Sequence, residues 1–308
     1  MSSNSERIEK NSGWKIWWKL LRPHTLTASF IPVILGTALA LAQNTIHLPL
    51  FIAMLIASLL IQSATNMFNE YFDYKRGLDT EESIGIGGTI VRDGVKPKTV
   101  LSLAYVFCGI ATLIGVYICL ESSWWIAAIG TVCMMAGYFY TGGPYPIAYT
   151  PFGELVSGLF MGLILVLISF YIQTNTITLV SILMSVPIAI LVAGIMMANN
   201  IRDLDGDKEK GRRTLAILLG RKKAIHFLSG MFVVSYLWVV GLLIFNVETA
   251  WLLIVFLSIP KAYQAAKLFK GKTKSIQLMP AMKATSQMHT LFGFLLSLGL
   301  FVDYMIQH

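Results

Sequence analysis

The sequence predicts an all-α, polytopic membrane protein: a helical bundle of about nine transmembrane helices, arranged as two four-helix pseudo-repeats plus one. Only 13% of the 308 residues are charged and 56% are hydrophobic, whereas soluble proteins carry about a quarter charged residues. Nine apolar runs have spanning length. The basic residues are confined to alternate connections between those runs.

The runs cover residues 27–42, 50–68, 100–120, 124–140, 155–171, 177–198, 224–245, 250–266 and 284–305. With a cytoplasmic amino terminus, Lys and Arg in successive cytoplasmic segments number 5, 5, 0, 8 and 6, which exhausts the stock of 24. This is the positive-inside pattern. It accounts for the net charge of +8 as membrane orientation, so no nucleic-acid partner is expected. The lipid bilayer is the partner the composition demands, and the pattern leaves oligomeric state unmarked.

Residues 1–22 read as a cytoplasmic and interfacial segment, and residues 23–308 as a single transmembrane domain. Residues 1–10 are polar. Trp14, Trp17 and Trp18 interleave with Lys15, Lys19 and Arg22, as in a helix lying among lipid headgroups. Ala38-Leu39-Ala40 has the look of a leader cleavage site. A long polar stretch precedes it, however, and cutting there would remove the first span and spoil the charge pattern, so an uncleaved helix is expected. Cys108, Cys119 and Cys133 fall inside spans and read as apolar filler with no disulfide. The five histidines, His24, His47, His226, His289 and His308, show no metal-ligand spacing.

Residues 199–215, NNIRDLDGDKEKGRRTL, follow a run without charge and crowd acids and bases together. If the preceding helix continues, Asn199, Asp203 and Asp207 fall at i, i+4 and i+8 on one face. Arg202, Lys208, Arg212 and Arg213 lie close by. Hard oxygen ligands mixed with cations suit Mg2+ bridged to a diphosphate better than a bare metal cage. Residues 66–79, NMFNEYFDYKRGLD, repeat the arrangement: Asn69 and Asp73 match Asn199 and Asp203, Gly77 stands where Asp207 would, and Asp79 follows two residues later. Two facing half-sites are expected. The second stretch comes four spans after the first, which motivates the pseudo-repeat.

The connection 80–98 contains IGIGGTIVRDG. Gly85 and Gly87 fit a dinucleotide fingerprint, but Ile90 takes the third glycine position and no strand precedes it. The alternatives left are a loop bearing Arg92 that closes over a diphosphate and excludes water, and a flexible connector. Arg22, at the same level, is a further candidate phosphate contact. Residues 138–154 carry Tyr138, Tyr140, Tyr145 and Tyr149 in a Gly/Pro-rich turn without Lys or Arg. Such a turn is suited to a flat acceptor or a carbocation, and equally to a plain turn with belt tyrosines. Pro187 and Pro260 are expected to kink their helices. Residues 261–283 read as a basic cytoplasmic connection near anionic lipid.

The paired stretches resemble the UbiA superfamily of intramembrane prenyltransferases. NEYFDYKRGLD, GIGGTIVRDG, YTGGPYPIAYTPFGE and NNIRDLDGDKEKGRRTLAILLG resemble more narrowly its branch acting on 1,4-dihydroxy-2-naphthoate. The chain departs from the superfamily pattern at Glu70 and Gly77, which makes Asp79 the substitute ligand. The resemblance implies Mg2+ held by Asn69, Asp73, Asp79, Asn199, Asp203 and Asp207, with Asp73 and Asp203 essential to catalysis. It implies a polyprenyl diphosphate donor gripped by Lys75, Arg76, Arg92, Arg202, Arg212 and Arg213. Tyr140 and Tyr145 would steady an allylic cation, and a cell-membrane site facing the cytoplasm would follow. Rival readings are the same chemistry on 4-hydroxybenzoate or a haem, and a cation-coupled transporter. Transporter charges sit nearer mid-membrane than these.

Overall fold

The structure, a computed structural model, describes residues 13–79 and 88–307. The expectations for residues 1–10, Gly85, Gly87 and His308 lie outside them. Short α1 (Trp14–Leu20) precedes α2 (Thr27–Leu39), α3 (Leu48–Lys75), α4 (Pro97–Glu121), α5 (Trp125–Thr141) and α6 (Gly153–Thr174). Then follow α7 (Leu179–Glu209), the short α8 (Leu215–Leu219), α9 (Arg221–Ile244), α10 (Ala250–Phe269) and α11 (Ser275–Gln307). Seven of these helices are long and apolar enough to cross a membrane, and α2 and α5 are shorter apolar helices. The chain is an integral, multi-pass membrane protein.

Local chemistry sets the ends. Pro49 and Pro97 occupy the first turns of α3 and α4, where a missing N–H costs nothing. Thr178 and Ser181 form a reciprocal capping box at the start of α7. Asn44 and Asn175 adopt left-handed backbone after α2 and at the end of α6. Trp14, Trp17 and Trp18 are exposed along α1, as an interfacial helix requires.

Three points bear on the sequence reading. Both α3 and α7 outrun their apolar stretches, ending at Lys75 and Glu209, so each acidic motif rides on a rigid helix. Residues 261–283 are not a connection: α10 continues to Phe269 and α11 begins at Ser275. Hydropathy averaging misses this because Ala262, Ala265, Phe269, Leu278 and Ala281 are buried while the lysines between them face out. Finally, Pro260 marks the junction where a 3-10 segment over Ala250–Ser258 becomes α-helix, while Pro187 lies inside one unbroken helix.

The core centres on α7 and α11, where Met184, Ile188, Leu191, Met288 and Phe292 are fully enclosed. α3 lies mainly along α4, while α7 packs chiefly on α6 and then on α9. Within α6, residues Gly158–Ile164 widen into a π-helix. There Gly162 meets the Ala189 backbone so closely that a Cβ would overlap it. This contact seats α6 on α7 and turns Ser157, Phe160 and Met161 toward a cavity.

Candidate active site

The acidic ends of α3 and α7 open into one cavity of about 370 Å³. Its charged end holds Asn69, Asp73 and Asp79 from the first motif and Asn199, Arg202, Asp203 and Arg212 from the second, with Arg22 beside them. Its walls then become apolar, through Ala57, Ala111, Gly115 and Gly130, as far as Met54 and Ile126. From Asp73 to Met54 along α3 is about 28 Å at 1.5 Å per residue.

One guanidinium joins the halves. Arg212 Nη2 donates to Asp73 Oδ1 at 2.7 Å, while its Nη1 lies 3.2 Å from Asp207 Oδ1. The same group sits 4.9 Å from the centre of the Tyr149 ring. Burial works to lower the Arg212 pKa, but Asp73 and Asp207 overcome it and hold the group above its ordinary value. Asp207 itself is not part of the cavity wall and reaches the site through Arg212. Arg202 forks onto its neighbour Asp203, with Nε to Oδ1 at 2.7 Å and Nη2 to Oδ2.

Glu70 has a role the sequence reading missed. It is 1% exposed, and its Oε1 accepts from Gly88 N at 2.7 Å, Thr89 Oγ1 at 3.0 Å and Ile90 N at 3.2 Å. Its Oε2 faces Arg22 Nη2 at 3.3 Å. Glu70 therefore ties the following loop and the amino-terminal Arg22 to the first motif. Its only sequence signal is a longer acid where the superfamily has Asp.

The aromatic turn divides. Tyr140 is buried and lines the cavity, and Gly153 makes room for its hydroxyl. Tyr145, between Pro144 and Pro146, is 90% exposed and turned away, so the structure does not bring it to Tyr140. Tyr149 takes its place near the cations, under Arg212 and Arg76. Arg76 spends its donors on the turn itself, to the Thr141 carbonyl and to Gly143 O at 2.8 Å. Thr141 Oγ1 in turn donates to Asn69 Oδ1 at 2.6 Å.

Lys75 and Arg213 are exposed outside the cavity, because α3 and the α7–α8 link turn them to solvent. Arg92 is buried against Gly88, away from the cavity wall. Unanticipated in the wall are His24, Thr25, Gln62, Asn66 and Asn200. Asn66 Nδ2 donates to Leu21 O at 2.9 Å and to Thr25 Oγ1 at 3.0 Å, fixing the chain before α2. Burial, and then the charges of Arg22, Arg202 and Lys283, lower the His24 pKa to about 3 and keep it neutral. Burial, reinforced by Asp73 and Glu70, raises that of Asp79 to about 6.

Among the described residues no three His, Cys, Asp or Glu side chains cluster as a ready metal cage. The donors are oxygens only, spread singly around an open cavity, with Asp73 and Asp203 each facing a guanidinium. That set fits a hard cation completing its shell with a ligand's phosphate oxygens, as Mg2+ does.

Comparison with known proteins agrees with this geometry. The profile described as UbiA prenyltransferase family matches residues 29–286. The 1,4-dihydroxy-2-naphthoate octaprenyltransferase of Bacillus subtilis (strain 168) is 59% identical over 296 residues, 96% of this chain and 95% of the relative. The protein of the same name from Mycobacterium tuberculosis (strain ATCC 25618 / H37Rv) is 29% identical over 272 residues, 87% of this chain and 91% of its own length. A UbiA homolog from Archaeoglobus fulgidus bound to GPP and Mg2+ shares the fold, with a TM-score of 0.66 at 14% identity, over 92% of this chain and 99% of that one.

Proposed function

The chain belongs to the UbiA prenyltransferase family, and from that premise we propose that it transfers a polyprenyl chain from its diphosphate to 1,4-dihydroxy-2-naphthoate. Carbon dioxide and diphosphate leave, and oxidation of the product gives demethylmenaquinone. The observation that carries this reading is the meeting of two Asn/Asp motifs at one cavity with Arg212 between them. The 59% identical relative supports the choice of acceptor.

Asn69, Asp73, Asp79, Asn199 and Asp203, with Asp207 behind Arg212, would hold Mg2+, which supplies positive charge to the departing diphosphate. Arg22, Arg202 and Arg212 orient the diphosphate oxygens and meet the charge that gathers there as the allylic C–O bond loosens. Donors fixed in advance on two helix ends need no reorganisation at that moment. The buried Tyr140 lines the same cavity, where an electron-rich ring can steady positive charge on the prenyl carbon. The apolar walls take the tail and exclude water that would trap the cation. The positive-inside pattern supports a site at the cytoplasmic face of the cell membrane.

Purified protein in detergent, supplied with Mg2+, radiolabelled polyprenyl diphosphate and each candidate acceptor in turn, tests the reading. Labelled product should form with the naphthoate and vanish with chelator. Product from 4-hydroxybenzoate but not from the naphthoate would overturn the acceptor.

A further inference from the structure

α6 opens with a carboxyl group inside the bundle. Glu154 is 3% exposed and, among the described residues, makes no ion pair. Its Oε1 accepts from Asn200 Nδ2 at 2.9 Å, and its Oε2 is enclosed with no hydrogen-bond partner. An ionisable side chain in such a place is costly and points to function. Four residues on, the helix departs into its π segment, a distortion frequent at functional sites.

The pairing turns the amino group of Asn200 toward Glu154, whose Oε1 accepts from it, and leaves Asn200 Oδ1 on the other side. Asn200 lines the cavity, about 100° around α7 from Asn199, toward α6. No described donor reaches its Oδ1. The cavity is thus offered an acceptor oxygen: the diphosphate presents acceptors only, the hydrocarbon tail presents nothing, and the Mg2+ ligands proposed on α7, Asn199 and Asp203, lie on a different face of the helix from Asn200.

Resting on the function proposed above, we infer that Asn200 selects the aromatic substrate: its Oδ1 takes the hydrogen of a ring hydroxyl. Glu154 is the positioning residue that holds the carboxamide in that sense. A ring without the hydroxyl covers the carbonyl and leaves it unpaired, which binding sites of this kind reject strongly. No proton is transferred, since an amide is not a base. The hydrogen bond orients the ring and lends electron density to the carbon that attacks.

The test uses the full chain in lipid nanodiscs. Glu154→Leu should raise KM for the naphthoate at least about tenfold, with KM for the polyprenyl diphosphate and the half-saturating Mg2+ concentration within about twofold. Glu154→Gln keeps a carbonyl to accept from Asn200 and should stay within about threefold of the parent on all three. On the unmodified protein, 2-naphthoate should inhibit at least about tenfold more weakly than 1-hydroxy-2-naphthoate or 4-hydroxy-2-naphthoate, whichever presents its hydroxyl to Asn200. Equal inhibition by all three overturns the inference, as does a Glu154→Leu variant that shifts the Mg2+ requirement or behaves like Glu154→Gln. If the unmodified protein prenylates no hydroxylated aromatic acid, the proposed function falls and this inference with it.

Discussion

Arg212 stands 2.7 Å from Asp73 across the interface of the two halves, with Asp207 at 3.2 Å on its other side. A single cation thus holds together two carboxylates that would otherwise repel at close range. The same geometry preorganises donors for a polyanion arriving with its metal. Asp73→Asn and Asp203→Asn should each lower prenyl transfer by ~10²- to 10³-fold, because charge stabilisation at the diphosphate is lost. Both variants should stay folded, since Asn preserves shape. Transfer of radiolabel alongside a detergent melting curve checks this, and near-normal turnover in either variant would remove that residue from the proposed chemistry.

Glu70 predicts a separate effect. Its Oε1 gathers three donors from residues 88–90 while Oε2 faces Arg22. Glu70→Ala strands the backbone N–H groups of Gly88 and Ile90 and leaves Arg22 without its carboxylate. A stability loss of about 1–3 kcal/mol is expected. Hydrogen exchange at Gly88 and Ile90 should quicken by more than about tenfold as local opening becomes easier. Unchanged exchange there would show that Glu70 does not tether the loop.

Much of this was legible in the sequence, and the reasons differ by feature. Apolar runs found the nine hydrophobic helices of the described residues, because length and burial in lipid are one-dimensional properties. The i, i+4 spacing put Asn199 and Asp203 on one face, since a rigid helix carries the pattern. Guanidinium partners were not legible. Arg76 turns to the Thr141 and Gly143 carbonyls, and Arg202 to its own neighbour, choices made by tertiary packing. Nor could composition choose between Tyr145 and Tyr149; the turn that points one out and the other under Arg212 exists only once α5 and α6 are placed.

Asp79 sets a pH dependence. Its pKa in the folded protein is raised to about 6, chiefly by burial and then by the charges of Asp73 and Glu70. The carboxyl must lose its proton to bind a cation, so metal binding competes with protons below that value. The half-saturating Mg2+ concentration should be flat above pH ~6 and rise by about tenfold per unit below it. His24 adds nothing to this titration, since it stays neutral down to about 3, whereas Asp207 behind Arg212, raised to about 6 chiefly by burial, shares it with Asp79. Asp79→Asn should weaken Mg2+ and flatten the slope; a slope that survives the substitution assigns the titration to another group.

The packing of α6 on α7 can be tested without touching a polar group. Gly162 lies against the Ala189 backbone with no space for a methyl. Gly162→Ala must push the helices apart or distort the π segment, and overpacking of this kind costs about 1–3 kcal/mol. Ser157, Phe160 and Met161 reach the cavity from that segment, so the displacement should also lower turnover. Gly230 supplies the control, since a Cβ there meets nothing within 4 Å. Gly230→Ala should leave the stability unchanged or raise it by at most about 1 kcal/mol through helix propensity, with the melting midpoint no lower than the parent's. Equal melting midpoints for the two variants, with turnover intact in both, would mean that the close α6–α7 contact does not shape the cavity.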